Sequence, residues 1–162
     1  MTHNANNPAN RTARTWVAGA VVMGMGMGGF VDGIVLHQIL QWHHLLSEPY
    51  PPTSLENLHL NTLADGLFHA LTWVFTLLGL LLLWIGARGT DLERRPNTLI
   101  GGLLAGWGLF NLIEGLVMHQ VLGLHHVRPG PDELAYDLGY LALGALLLVA
   151  GTLLIRRGRR AT

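Results

Sequence analysis

Asp32-Gly-Ile-Val-Leu-His37-Gln-Ile-Leu-Gln-Trp-His43-His44 and Glu114-Gly-Leu-Val-Met-His119-Gln-Val-Leu-Gly-Leu-His125-His126 are one phrase written twice. Both copies keep the order acid, Gly, three apolar residues, His-Gln, four more residues, His-His. Each copy closes an apolar stretch of membrane-helix length. An ionisable group at the centre of a membrane helix costs roughly 2.5–3.5 kcal/mol on insertion scales, so such groups pair, line a cavity or bind something. Two matching sets therefore point to one site built from both halves of an internal repeat. Imidazoles beside carboxylates point to a metal or metallocofactor.

The surrounding composition sets the fold class. The chain has 162 residues, of which 50% are hydrophobic and 12% charged, about half the roughly 25% charged share of a soluble domain. Four apolar stretches, near 16–41, 63–87, 98–123 and 134–155, each approach or exceed the ~20 residues that span a bilayer. A soluble helix needs a polar face, and residues 77–85 have none. The expectation is an all-α integral membrane four-helix bundle in a lipid bilayer. A formal net charge of zero, with no basic cluster away from the helix ends, excludes nucleic acid as a partner. No cysteine is present, which excludes disulfides, Fe–S clusters and thiolate metal sites.

Arginine placement gives the orientation, because cytoplasmic loops carry the positive excess. Arg11 and Arg14 precede the first span, Arg88, Arg94 and Arg95 follow the second, and Arg156, Arg157, Arg159 and Arg160 follow the fourth. The loops near 42–62 and 124–133 hold only Arg128. Both termini are expected in the cytoplasm, in the inner (plasma) membrane, with the histidine-rich ends outside. Arg14 ahead of an apolar run also fits a signal peptide, but no small-residue cleavage site follows it.

The repeat pairs the first span with the third at an offset of 82 residues, including Gly19/Gly101, Gly24/Gly106 and Gly26/Gly108. The second pairs with the fourth at an offset of 72, through Asp65/Asp137, Gly79/Gly151 and Arg88/Arg160. The organisation expected is a cytoplasmic tail at 1–15, a membrane domain at 16–156 with repeats near 16–88 and 97–156, and a tail at 157–162. Halves with an even number of spans are related by an axis along the membrane normal. Thr53-x-x-Glu56 has capping-box spacing, so the second helix starts in the outer loop. Gly24-x-x-x-Gly28, Gly29-x-x-x-Gly33 and Gly102-x-x-x-Gly106 allow close helix approach, within the chain or in a homo-oligomer.

At about 100° per residue, His37 and His44 share one stripe of a straight helix, whereas Asp32 and His43 share another roughly 140° away. Either the helix bends or ends before His43, or the second stripe serves another contact. Asp65 and His69, four apart, share a face and fit a chelating pair, or a carboxylate that fixes an imidazole. Asp137 matches Asp65, but Leu141 stands in the place of His69. The expected ligands are His37, His69 and His119, with Asp32, Asp65, Glu114 and Asp137 as ligands or their partners. His43, His44, His125 and His126 rank second, as groups near water. The bland alternatives are interhelical hydrogen bonds and solvated helix ends.

These phrases, with Ala64-Asp-Gly-Leu-Phe-His69, resemble a family of uncharacterised bacterial four-span membrane proteins, a domain of unknown function. The resemblance covers about residues 16 to 156 and implies no settled activity. Asp65-x-x-x-His69 also looks like part of the copper site of membrane methane and ammonia monooxygenases, although that family's further histidine has no counterpart here. Copper handling or a copper redox centre is the first expectation, since imidazole suits Cu, Zn and Fe and copper binds most tightly. The alternatives are haem b with His37 and His119 as axial ligands, a di-iron or di-zinc site, and a metal-free proton or ion pathway. A redox or metal-donor partner on the outer side goes with the first. Whether the protein is an enzyme stays open.

Overall fold

The computed structural model describes residues 8–88 and 96–160. Arg94 and Arg95, on which the orientation partly rests, lie outside the described residues. Helix α1 (Pro8–Val31) continues as a π-helical segment, π1 (Asp32–Ile39). Helix α2 covers Leu55–Ala87. Helix α3 (Pro96–Glu114) continues as π2 (Gly115–Val121), and α4 covers Glu133–Arg160. Among the described residues, four segments, Asn10–Ile39, Leu55–Ala87, Pro96–Val121 and Glu133–Arg159, are long and apolar enough to cross a membrane.

The burial pattern is that of a membrane protein. The buried apolar residues are few, chiefly Ala20, Ala64, Leu83, Ala105 and Val127, while Leu67, Trp84 and Leu146 are each more than 60% exposed. Acids, histidines and amides fill the interior instead. Lipid tails leave no hydrophobic drive between helices, so close backbone packing and polar bonds hold such bundles together.

Helix α1 packs on α2, α3 packs on α4, and α1 meets α3 in the middle. Of the most apolar window, 44% is buried in both α1 and α3, against 22% in α2 and 11% in α4. The central pair is therefore α1 and α3. Glycines make its contact: a methyl group on Gly24 would overlap the Leu103 backbone, and one on Gly106 would overlap Val21. These two contacts are the same contact, exchanged between repeats. Ala20 meets Gly102, its own repeat mate, and so marks a local two-fold axis. Because π1 and π2 meet at one end of the bundle, α1 and α3 run parallel and the axis runs along them, as the repeat predicts. The glycines of the expected oligomer motifs are used within the chain, including Gly28 against Trp107 and Gly29 against Thr72. Homo-oligomerisation through those faces finds no support.

Asp65 and Asp137 lie beyond the first turns of their helices, which begin at Leu55 and Glu133. Helix α2 is capped one residue later than the spacing predicts. Ser54 Oγ accepts from the Asn57 N–H at 3.2 Å, because Thr53 is held in a turn by its own N–H to the Pro51 carbonyl. The connections at 40–54 and 122–132 fold across the end of the bundle. They are tied to each other by the Glu48 N–H to the Leu124 carbonyl, 3.0 Å, and by Arg128 lying over the Trp42 and Tyr136 rings.

Candidate metal centre

The two stripes of a straight helix are merged by a change of helical pitch. In π1 and π2 the backbone bonds from i to i+5, a form that recurs at functional sites. Asp32 and His37, and Glu114 and His119, are five apart and so come onto one face. Two residues beyond each segment the chain takes a positive φ, 49° at Gln41 and 55° at its repeat mate Gly123. That reversal folds His43 and His125 back toward the axis. The helix ends before His43, and the expectation that His43 and His125 lie near water does not hold: they are 3% and 0% exposed.

The result is a buried set of four imidazoles and two carboxylates drawn from both halves. The His37 and His43 ring centres are 4.5 Å apart, those of His119 and His125 4.8 Å, and the central His43 and His125 rings stack at 4.6 Å with 12° between planes. Three imidazoles send Nδ1–H outward to a backbone or carboxylate acceptor: His37 to Asp65 Oδ1 at 2.9 Å, His43 to the Val127 carbonyl at 2.8 Å and His125 to the Leu45 carbonyl at 3.1 Å. His119 Nδ1 faces Asp137 Oδ1 at 3.4 Å. The His43 and His125 bonds cross between halves and are reciprocal, since Val127 is the repeat mate of Leu45.

Such outward bonds fix the tautomer and leave Nε2 as an inward lone pair. The atoms that remain buried without a hydrogen-bond partner include Nε2 of His37, His43 and His119, Asp32 Oδ2 and Glu114 Oε2. His37 Nε2 lies 3.2 Å from Asp32 Oδ2, His119 Nε2 3.4 Å from Glu114 Oε1, and His125 Nε2 2.9 Å from the same oxygen. Each such contact is satisfied by a positive charge between nitrogen and oxygen, either a proton on the ring or a metal ion. An ion about 2.0–2.2 Å from such donors sees each pair at roughly 80–110°, within reach of tetrahedral and octahedral coordination. Two overlapping sets, His37/His43/His125 and Glu114/His119/His125, bring donor atoms within 4.8 Å of one another. Burial, then the neighbouring His125 and His37, lowers the His43 pKa to about 3, so its ring is neutral at pH 7 and available as a ligand.

Asp65 and Asp137 stand behind the cluster. Asp65 accepts from His37, from His44 Nδ1 at 2.7 Å, from the Leu45 N–H at 2.9 Å and from Gln38 at 3.4 Å. Asp137 accepts from His126 Nδ1 at 2.6 Å, the Val127 N–H at 3.0 Å and Gln120 at 2.9 Å. His44 and His126 thus tie the loops to these acids, away from the cluster. His69 also stays outside. Its Nδ1–H donates to the Asp65 carbonyl at 2.8 Å, its ring contacts are Phe30 and Phe68, and its buried Nε2 rests over Gly33. The glycine of the repeated phrase is explained by this position: a Cβ on Gly33 would crowd His69, and one on Gly115 would crowd Leu141. Sequence reasoning missed Tyr140, whose Oη lies 3.4 Å from Asp32 Oδ1, and the Val127 and Leu45 carbonyls, which no residue pattern announces.

A family described as "Predicted membrane protein (DUF2243)" matches residues 19–158. The chain belongs to it. Its membrane helices, duplicated phrase and buried histidines are thus features of a member of a family of unknown function. No curated protein and no solved structure matches, and the likeness to the copper monooxygenases finds no support.

Proposed function

We propose that this member of the DUF2243 family holds a resident metal centre inside the bilayer, ligated by His37, His43, His119 and His125 with Asp32 and Glu114. The observation that carries this reading is the set of buried, unpartnered inward atoms at chelating distances. Unsatisfied buried polar atoms cost about 1–3 kcal/mol each, and one or two cations satisfy them together. Nitrogen and oxygen donors without sulfur suit Cu(II), Zn(II) and iron, and the affinity order puts copper first. A site enclosed in protein with fixed tautomers favours a retained redox ion over a cargo in transit. The carboxylates give iron or zinc pairs the same footing by geometry. Haem b is disfavoured, since the stacked His43 and His125 rings sit among the would-be axial ligands. Cytoplasmic termini in the plasma membrane go with the arginine pattern, and put the centre near the outer face and a redox or metal-donor partner there.

Purified protein tests this by elemental analysis and electron paramagnetic resonance. One or two equivalents of a transition metal, lost in His125→Ala, are expected. A protein free of metal after growth and reconstitution with copper, iron and zinc overturns the reading and leaves the acid–histidine chain as a proton path. Reporter fusions at Ser47 and at 161–162 read the orientation.

A further inference from the structure

The halves differ beside Asp32. A cavity of about 350 Å³ lies between α1, α3 and α4, walled by Trp107 and Tyr140, with Asp32 and Asn111 on its floor. Its rim includes Val31 and Leu143, 40% and 47% exposed on the lipid-facing surface, while Asp32 and Asn111 are 4% and 2% exposed. The cavity therefore opens sideways, toward the bilayer.

Repeat mates show how it arises. Gly28 and Gly139 line the cavity, whereas Phe110 and Leu67 occupy the matching positions of the other half, where Phe110 packs on Phe68. Two polar groups are also confined to this side: Asn111 where the mate is Gly29, and Tyr140 where the mate is Phe68. Four departures from the repeat converge on one place. Space and polarity coincide on this side of the bundle.

The polar atoms define the ligand. Asn111 Oδ1 is buried and has no partner. The Tyr140 hydroxyl is directed to Asp32 Oδ1, so toward the cavity it offers only lone pairs. Asn111 Oδ1 is the acceptor left unmet, and a ligand that satisfies it must donate. Aromatic walls and a lipid-side mouth complete the description. We propose that this cavity binds a small lipid-soluble phenol or other aromatic alcohol, which enters between α1 and α4 and donates its hydroxyl to Asn111 Oδ1, next to Asp32. This goes beyond the metal reading and does not need the centre to be loaded.

The test is equilibrium binding of labelled 4-octylphenol to protein in nanodiscs, corrected for partition into empty discs, on chelator-treated and on copper-treated samples. Saturable binding of one molecule per chain is expected in both. The methyl ether of the same probe, which has no hydroxyl to donate, should bind about tenfold less tightly, and Asn111→Leu should erase that difference. Gly139→Leu installs the side chain of the opposite half. A Cβ there meets nothing within 4 Å, so the helix tolerates it while the cavity fills, and saturable binding should disappear. Gly66→Leu on α2, equally open, should leave binding unchanged. Equal binding of phenol and ether by the native protein, or undiminished binding by Gly139→Leu, overturns the proposal. The ether comparison needs no variant, and the chelator-treated arm separates this outcome from failure of the metal reading.

Discussion

The two hairpins agree in the buried histidine cluster and differ in the walls beside it. Along the axis, Gly24 and Gly106, His43 and His125, and Asp65 and Asp137 make matching contacts. One layer out, His69 is set against Leu141, Phe68 against Tyr140 and Phe110 against Gly28. The difference separates two demands. The buried imidazoles stay alike, whereas the seam between the hairpins holds a cavity on its α4 side and is filled by Phe110 and Phe68 on its α2 side.

The sharpest way to break this comparison is at the centre. His125→Ala, and equally His43→Ala, should lower bound metal from stoichiometric to background by elemental analysis, while His69→Ala keeps the native content. Metal loss in a folded His69→Ala protein would move the site toward α2 and make the outward asymmetry part of it.

Next come the acids behind the rings. Asp65→Asn and Asp137→Asn each weaken an outward acceptor, and removal of such a partner typically lowers metal affinity about 10–100-fold. Chelator competition should give falls alike to within a few-fold, and a tenfold inequality would show that the halves do not share the load. Gly106→Ala places a methyl group against the Val21 backbone and should destabilise the bundle by about 1–3 kcal/mol in detergent unfolding. The smallest effect is expected at the helix reversals. Gln41 adopts a left-handed φ of 49°, as Gly123 does at 55°, but only glycine does so without steric cost. Gln41→Gly should stabilise by about 0.5–1 kcal/mol and Gly123→Ala should destabilise by about 1 kcal/mol, read by the same unfolding curves.

Much of this was legible in the residues because both signals are periodic. Apolar stretches of membrane length fixed the four helices, and the duplicated phrase identified Asp32, His37, Glu114 and His119 as one set. The ranking of His43 and His125 behind His69 followed from assuming uniform pitch. A π segment shifts every later residue around the axis, and no composition signal marks where it begins. Cross-hairpin acceptors such as the Val127 carbonyl are equally silent, because every residue has one. The cavity was hidden for another reason: Gly28 and Gly139 read as packing glycines until their mates Phe110 and Leu67 are placed beside them.

The reciprocal bonds from His43 to Val127 and from His125 to Leu45 also bear on biogenesis. When the first hairpin leaves the ribosome, His43 enters the membrane without the Val127 carbonyl that its Nδ1–H meets in the finished bundle. Neither hairpin can finish its own polar interior. Each hairpin therefore supplies a carbonyl that the other lacks, and the two interiors are completed together.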